Sequence, residues 1–265
     1  MHILVTNDDG INSPGIRKLW QALAELGQVT VAAPDIERSA ASQSITVHTP
    51  IKVEPFYPRE PQISGWTIGG TPPDCVKIAI ETLLPQPPDL IVSGINNGSN
   101  LGTDVLYSGT VSAAIEGALH EIPAIAISLD TWEVDNYDFN PAALFAKQLI
   151  KKMAGNKLPP RTLLNVNVPA KRIDQIPGVA ITKLGIRQYE NTFERRFDQR
   201  GHTYYWLGGM VVDQENDPDT DVSAIKEGKI SITPIHFDLT NYPIMQSLQT
   251  WKLNNLIDAL KCEEL

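Results

Sequence analysis

Short apolar, β-branched runs alternate with helix-periodic stretches through the first half of this chain, and that alternation leaves few folds open. HILVT (2–6), VTVAA (29–33), DLIVS (89–93) and PAIAISL (123–129) are short and almost continuously apolar, the pattern of strands buried on both faces. After the first run, Ser13-Pro14 supplies a helix start. Ile16, Leu19, Trp20, Leu23 and Leu26 then recur at helical spacing until Gly27 stops the helix. Strand, helix, strand is a βαβ unit with a right-handed crossover. The unit recurs: Thr71-Pro72 opens a helix carrying Val76, Ile80 and Leu83, a small-residue helix spans 108–119, and an amphipathic helix spans 141–153. The pattern predicts an α/β domain with a mainly parallel sheet and helices on both faces.

The second half is less regular. TLLNVNV (162–168), GVAITKL (178–184) and KISITPI (229–235) read as strands. The segment 186–212, which begins IRQYENTFERRFDQRGHTYYWLGG, alternates enough to predict an extended β-hairpin arm with its turn near Gly201. Such an arm serves subunit contact or covers a site as a lid. In the tail, Ile244, Leu248, Trp251, Leu256 and Leu260 predict a helix over 242–260 that docks on its own domain or on a neighbour. With no internal repeat or linker, the 265 residues are expected to form one domain.

Charge and composition exclude several functions. Lys+Arg 22 against Asp+Glu 31 gives −9, which disfavours duplex nucleic acid as the main partner. No window approaches the ~20 apolar residues of a membrane span, and the start MHILVTNDDG lacks signal-peptide character. Cys75 and Cys262 make no disulfide framework or CxxC motif, and His2, His48, His120, His202 and His236 are scattered. The expected location is the cytoplasm.

Chemistry concentrates at Asn7-Asp8-Asp9-Gly10, just beyond the first strand, where open parallel sheets bind ligands. Adjacent carboxylates repel, and a divalent cation removes the conflict; hard oxygen ligands favour Mg²⁺, Mn²⁺ or Ca²⁺. Two more polar loops belong to the same sheet edge. APDIERSAASQSIT (33–46) carries Ser39, Ser42 and Ser44. GINNGSNLGTDVLYSGT (94–110) ends in Ser108-Gly109-Thr110, which opens directly onto a helix start that favours an anion. Neutral Asn and Ser oxygens there can complete a metal shell without repelling a phosphate. Competing motifs fail on particular residues. A phosphate-accepting receiver domain needs an Asp where Ser93-Gly94-Ile95-Asn96-Asn97 stands, and a haloacid-dehalogenase-type phosphatase needs Asp-x-Asp. DPDTD (Asp217, Asp219, Asp221) resembles a calcium loop, but Val222 and Gly228 occupy its Gly and Glu positions. It reads instead as a solvated acidic turn capping a short helix over 222–226.

Together, ILVTNDDGINSPGI, APDIERSAASQSIT, GGTPPDCV, DLIVSGINNGSNLGTDVLYSGTVSAAIEGA and SITPIHFDLT resemble the SurE family of survival proteins, metal-dependent 5′/3′-nucleotidases. The resemblance covers most of the chain to about residue 240. It implies a Rossmann-like core, a hairpin arm, and a C-terminal segment (236–265) exchanged between subunits of a homodimer or homotetramer. It also implies one divalent ion, Mg²⁺ or Mn²⁺, on Asp8, Asp9, Ser39 and Asn96. Asp8 and Asp9 are then the candidate catalytic residues, and Gly10, Asn12, Ser42, Ser108, Gly109 and Thr110 the candidate phosphate and substrate contacts. The base is expected near Gly69-Gly70-Thr71, with the arm as a second contributor. The expected reaction is hydrolysis of nucleoside monophosphates to nucleoside and phosphate, by water or through an aspartyl-phosphate. Two rivals stay open: an exopolyphosphatase or broad acid phosphatase using the same site, and a nucleotide-binding regulator that does not cleave.

Overall fold

The structure, a computed structural model, describes residues 1–58, 60, 62–131, 134–156, 158–212 and 217–257. Its elements begin β1 (His2–Thr6), α1 (Pro14–Leu23), β2 (Gln28–Pro34), β3 (Val53–Phe56), β4 (Ile63–Ile68), α2 (Pro72–Ile78), β5 (Leu90–Asn97), α3 (Gly109–Leu119), β6 (Ala124–Asp130), α4 (Asn140–Met153) and β7 (Thr162–Pro169). They continue β8 (Val179–Ile181), β9 (Gln188–Glu190), β10 (Phe193–Phe197), β11 (Thr203–Leu207), β12 (Met210–Val212), α5 (Asp221–Lys226), β13 (Ile230–His236) and α6 (Tyr242–Gln249). One nine-stranded sheet runs β3-β4-β2-β1-β5-β6-β7-β13-β8. Its central pairs, from β4 through β7, are parallel, and β3–β4 and β7–β13 are antiparallel. This is the expected α/β architecture.

Alternation along β1 explains why both faces are covered. Ile3 and Val5 join Ile16 and Leu19 of α1 and Ala146 and Ile150 of α4 in one core. Leu4 points to the other face and joins Val76 of α2 and Val111 and Ala114 of α3. Each such side chain stabilises by about 1.5–3 kcal/mol when fully buried. The small residues of α3 let it lie close on the sheet: a Cβ at Gly117 would sit 2.6 Å from Ile91 Cδ1.

Several expectations need correction. The β3–β4 hairpin lies in a stretch that carries no strand signal by apolar run, because Gly65 interrupts ISGWTI. The glycine is there for contact, since a Cβ would meet the Val31 carbonyl oxygen at 1.8 Å. The strand expected over 178–184 pairs only along β8, with an isolated bridge from Lys183 to Thr220. The tail is not one helix: α6 ends at Gln249, and Lys252 adopts a φ of +51°. Leu260 and Cys262 lie outside the described residues; Cys75 is a buried free thiol.

The DPDTD turn splits. Asp217 and Asp219 are exposed and pair with Lys183, as a solvated turn should. Asp221 is instead fully buried, and the α5 cap is Thr220. Asp221 accepts from the backbone N–H groups of Gly102, Gly185 and Val222 at 2.8–2.9 Å, tying the loop after β5 to the base of the arm. Its burial raises the carboxyl pKa, and the three donors oppose the rise. The arm itself matches expectation: β10 and β11 pair antiparallel around Gly201 at φ +80°, and β9–β12 extends the ribbon. All of β10 and β11 is exposed. Among the described residues no helix is long and apolar enough to cross a membrane.

Candidate active site

The carboxyl end of β1 carries the acid pair into the mouth of the sheet. Asn7, fully buried, closes the turn by donating through Nδ2 to the Gly10 carbonyl at 3.0 Å and to Ser13 Oγ at 2.9 Å. Gly10 turns the chain at φ +91°. Asp8 is only 4% exposed, and Thr110 Oγ1 donates to its Oδ1 at 2.5 Å. The backbone N–H of Asn97 donates to Asp9 Oδ2 at 3.1 Å, so β5 and α3 each hold one acid. Gly109 permits this closeness: a Cβ there would stand 2.7 Å from Asp8 Cβ and 2.9 Å from Asp8 Oδ2.

The electrostatics follow from that crowding. Burial pushes the Asp8 carboxyl up to about 7; the Thr110 hydrogen bond opposes the rise and the Asp9 charge adds to it. Burial likewise lifts Asp9 to about 6, against the Asn97 N–H and with help from Glu37. Two carboxylates that resist ionisation side by side favour a cation. Among the described residues no cluster of three or more His, Cys, Asp and Glu side chains could hold a metal. A cation at the acid pair therefore needs neutral oxygens to complete its shell.

The other expected residues divide. Asn96 is half-buried and commits Nδ2 to the Gly98 carbonyl at 2.7 Å, leaving Oδ1 as its ligand-capable atom. Ser39 is exposed and donates to Glu37 Oε1 at 2.7 Å, along its own loop. Ser42, at φ +56°, donates its hydroxyl to the Leu106 carbonyl at 2.6 Å and its N–H to the Tyr107 carbonyl at 3.1 Å. That makes it a brace between two site loops. Ser108 caps α3 by accepting from Val111 N–H, which leaves its own O–H to donate. The Thr110 hydroxyl proton goes to Asp8, so this side chain steadies the acid. Asn12 is exposed and lines a groove with Ile11, Arg17, Trp20 and Phe56. Gly69-Gly70-Thr71, expected near the base, serves helix α2: Thr71 and Asp74 form a reciprocal cap, and a Cβ at Gly70 would lie 2.8 Å from Asp74 Oδ2.

Two supports escape motif reading. Asp74 accepts from Thr46 N–H at 3.0 Å and Thr46 Oγ1 at 2.6 Å, pinning the far end of the Ser39 loop. Beneath the loop after β5, Asn167 Oδ1 accepts from Asn100 N–H at 2.7 Å, and Asn165 and Asn167 both donate to the Asn100 carbonyl. Asn100 Nδ2 reaches Ser128 Oγ at 2.8 Å. The signal was present: two asparagines at i and i+2 in an apolar strand share one face and, when buried, demand partners.

These features define a class: an α/β chain with a mainly parallel sheet whose carboxyl edge carries an adjacent acid pair beneath a helix start. The family model described as Survival protein SurE matches residues 3–191. Proteins named 5′-nucleotidase SurE are similar over nearly the whole chain. The one from Heliobacterium modesticaldum is 50% identical over 251 residues, covering 95% of this chain and 92% of the relative. The one from Thermosynechococcus vestitus is 53% identical over 257 residues, covering 95% and 96%. The crystal structure of the SurE protein from Aquifex aeolicus superposes with a TM-score of 0.82 at 38% identity, covering 95% of this chain and all of that one. The chain belongs to the SurE family.

Proposed function

We propose that this chain is a divalent-metal-dependent phosphomonoesterase, a 5′-nucleotidase that converts nucleoside monophosphates to nucleoside and phosphate. One observation carries the reading: the first turn of α3 is packed through Gly109 and Thr110 onto the buried Asp8, whose half-buried neighbour Asp9 is held by the Asn97 N–H of β5. A helix start favours negative charge and so suits a phosphate, while the burial and mutual repulsion of the two acids call for a cation between them and that phosphate. The relatives' shared name agrees with it and supplies the 5′ position.

The donor set suits a hard divalent cation, Mg²⁺ or Mn²⁺, on Asp8, Asp9, Asn96 Oδ1 and the Ser39 oxygen. When bound, the ion supplies the positive charge that lets phosphate approach two carboxylates and that offsets charge building on its oxygens. The protein does the rest. Ser108 O–H and backbone N–H groups at Gly10 and the start of α3 hold phosphate oxygens in a fixed pose. Thr110 and Asn97 fix the acids, and Asp8 orients the attacking water opposite the leaving ribose oxygen. Ser42 and Asn12 stand as substrate-side residues, the first through its hold on Leu106 and Tyr107. The exposed arm and the tail from residue 236, of which 258–265 lie outside the described residues, are the contacts of a homodimer or homotetramer. A buried free thiol at Cys75 suits the cytoplasm.

A polyphosphatase needs the same cation and cradle, and a regulator needs the same grip without turnover. Phosphate release from AMP, GMP, 3′-AMP and short polyphosphate, with Mg²⁺, Mn²⁺ and Ca²⁺ in parallel, separates the three. The expected result is release from AMP and GMP that chelator abolishes. Release from polyphosphate alone favours the first rival, and AMP recovered intact after long incubation with Mn²⁺ favours the second.

A further inference from the structure

Large apolar side chains are exposed beside the candidate site, among polar and charged neighbours. Tyr107 and Leu106, immediately before the cap of α3, are 65% and 61% exposed, and Ile36 and Ile45 are exposed on the facing loop. An exposed aromatic ring next to a polar site offers a flat apolar surface to whatever extends out of it. The Tyr107 backbone is nonetheless held firmly. Its N–H donates to the Asp104 carbonyl at 2.9 Å, and its carbonyl accepts from Ser42 N–H at 3.1 Å. Asp104 is itself anchored to the base of the arm by Tyr189 OH at 2.5 Å and by Arg187 at 3.4 Å.

We infer that Tyr107 is the platform on which the nucleobase stacks, and so the residue that makes this site prefer nucleotides over other phosphomonoesters. The inference rests on the nucleotidase reading above. A phosphate held at the first turn of α3 has Asp8 and the sheet beneath it, so the rest of the substrate extends outward over the rim. Tyr107 directly precedes that turn. With the backbone fixed from both sides, only the two side-chain torsions of the ring are left to order on binding, and every base offers it a π face. The phenol O–H is not needed for stacking.

The test compares kcat/KM on AMP with kcat/KM on ribose 5-phosphate, which carries the same phosphate and sugar without a base, in the full chain with Mn²⁺. Tyr107→Ala is expected to lower the AMP to ribose 5-phosphate ratio about tenfold, mainly through KM for AMP. Tyr107→Phe is expected to keep the ratio within about threefold of wild type, since the π face remains. The internal ratio guards against a general loss of folded enzyme. A wild-type chain that cleaves AMP while Tyr107→Ala leaves the ratio unchanged overturns this proposal and spares the nucleotidase reading. A ratio unchanged alongside a smaller mass by sedimentation also overturns it, assigning the rim to subunit contact. A wild-type chain that cleaves ribose 5-phosphate but not AMP overturns both.

Discussion

Asp8→Asn and Asp9→Asn are each expected to lower phosphate release from AMP by more than a hundredfold at saturating Mn²⁺. Each amide keeps the size of the carboxylate and an oxygen to accept from its neighbour, Thr110 Oγ1 for position 8 and Asn97 N–H for position 9. What it removes is one negative charge from the proposed cation shell, which has no third acidic ligand among the described residues. A hundredfold loss corresponds to about 2.7 kcal/mol of transition-state stabilisation, a modest demand for a first ligand to a catalytic ion. The same change relieves the fold. Asp8 is buried at a cost when charged, so Asp8→Asn is expected to melt no lower than wild type in chelator. Lost turnover with retained or increased stability separates a functional acid from a structural one. Initial rates and thermal melts on the same preparations check it, and near-normal turnover by both variants would put the chemistry elsewhere.

The second large effect is a metal-dependent reversal of how stability follows pH. In the folded, metal-free chain the carboxyls of Asp8 and Asp9 sit at about 7 and about 6, above the ordinary 3.8. The folded state therefore binds protons more tightly than the unfolded one. Below about pH 4 both states are protonated and nothing is lost. As pH rises toward 7 the unfolded chain ionises first, and stability falls through that window and then levels off. Asp8, the more deeply buried of the two, contributes the larger share of the fall. Acids held low, such as Asp74 and Asp238, act in the opposite sense, so the informative quantity is wild type minus Asp8→Asn. Mn²⁺ is expected to replace the protons and restore stability most where the carboxylates are free of them, and turnover is expected to decline as pH drops below 7 for the same reason. Melting curves from pH 4 to 8, in chelator and in excess Mn²⁺, test this. Parallel pH slopes for wild type and Asp8→Asn in chelator would contradict it.

Much of this molecule was legible residue by residue. Strands buried on both faces must be apolar throughout, so β1, β2, β5 and β6 announce themselves, and the helices between them follow from periodicity. The acid pair was legible because carboxylates leaving such a strand need a reason to be there. What escaped depends on partners distant in sequence. Gly65 reads as a breaker until Val31 is placed beside it. Asp221 looks like the third member of an acidic turn until Gly102 and Gly185 close around it. Ser42 and Thr110 carry the right chemistry for a phosphate, yet their hydroxyl protons go to Leu106 and Asp8. The type of a residue indicates what it can do, and its neighbours decide which of those things it does.

Equilibrium dialysis of Mn²⁺ against chelator-stripped protein, with phosphate release from AMP read on the same samples, addresses the acid pair most directly. Wild type is expected to take up one ion per chain, with turnover rising in step with occupancy. The double variant, Asp8→Asn with Asp9→Asn, is predicted to take up none at that concentration and to release no phosphate. A double variant that keeps its ion and its turnover, or a wild type that works at full rate in chelator, would contradict the account.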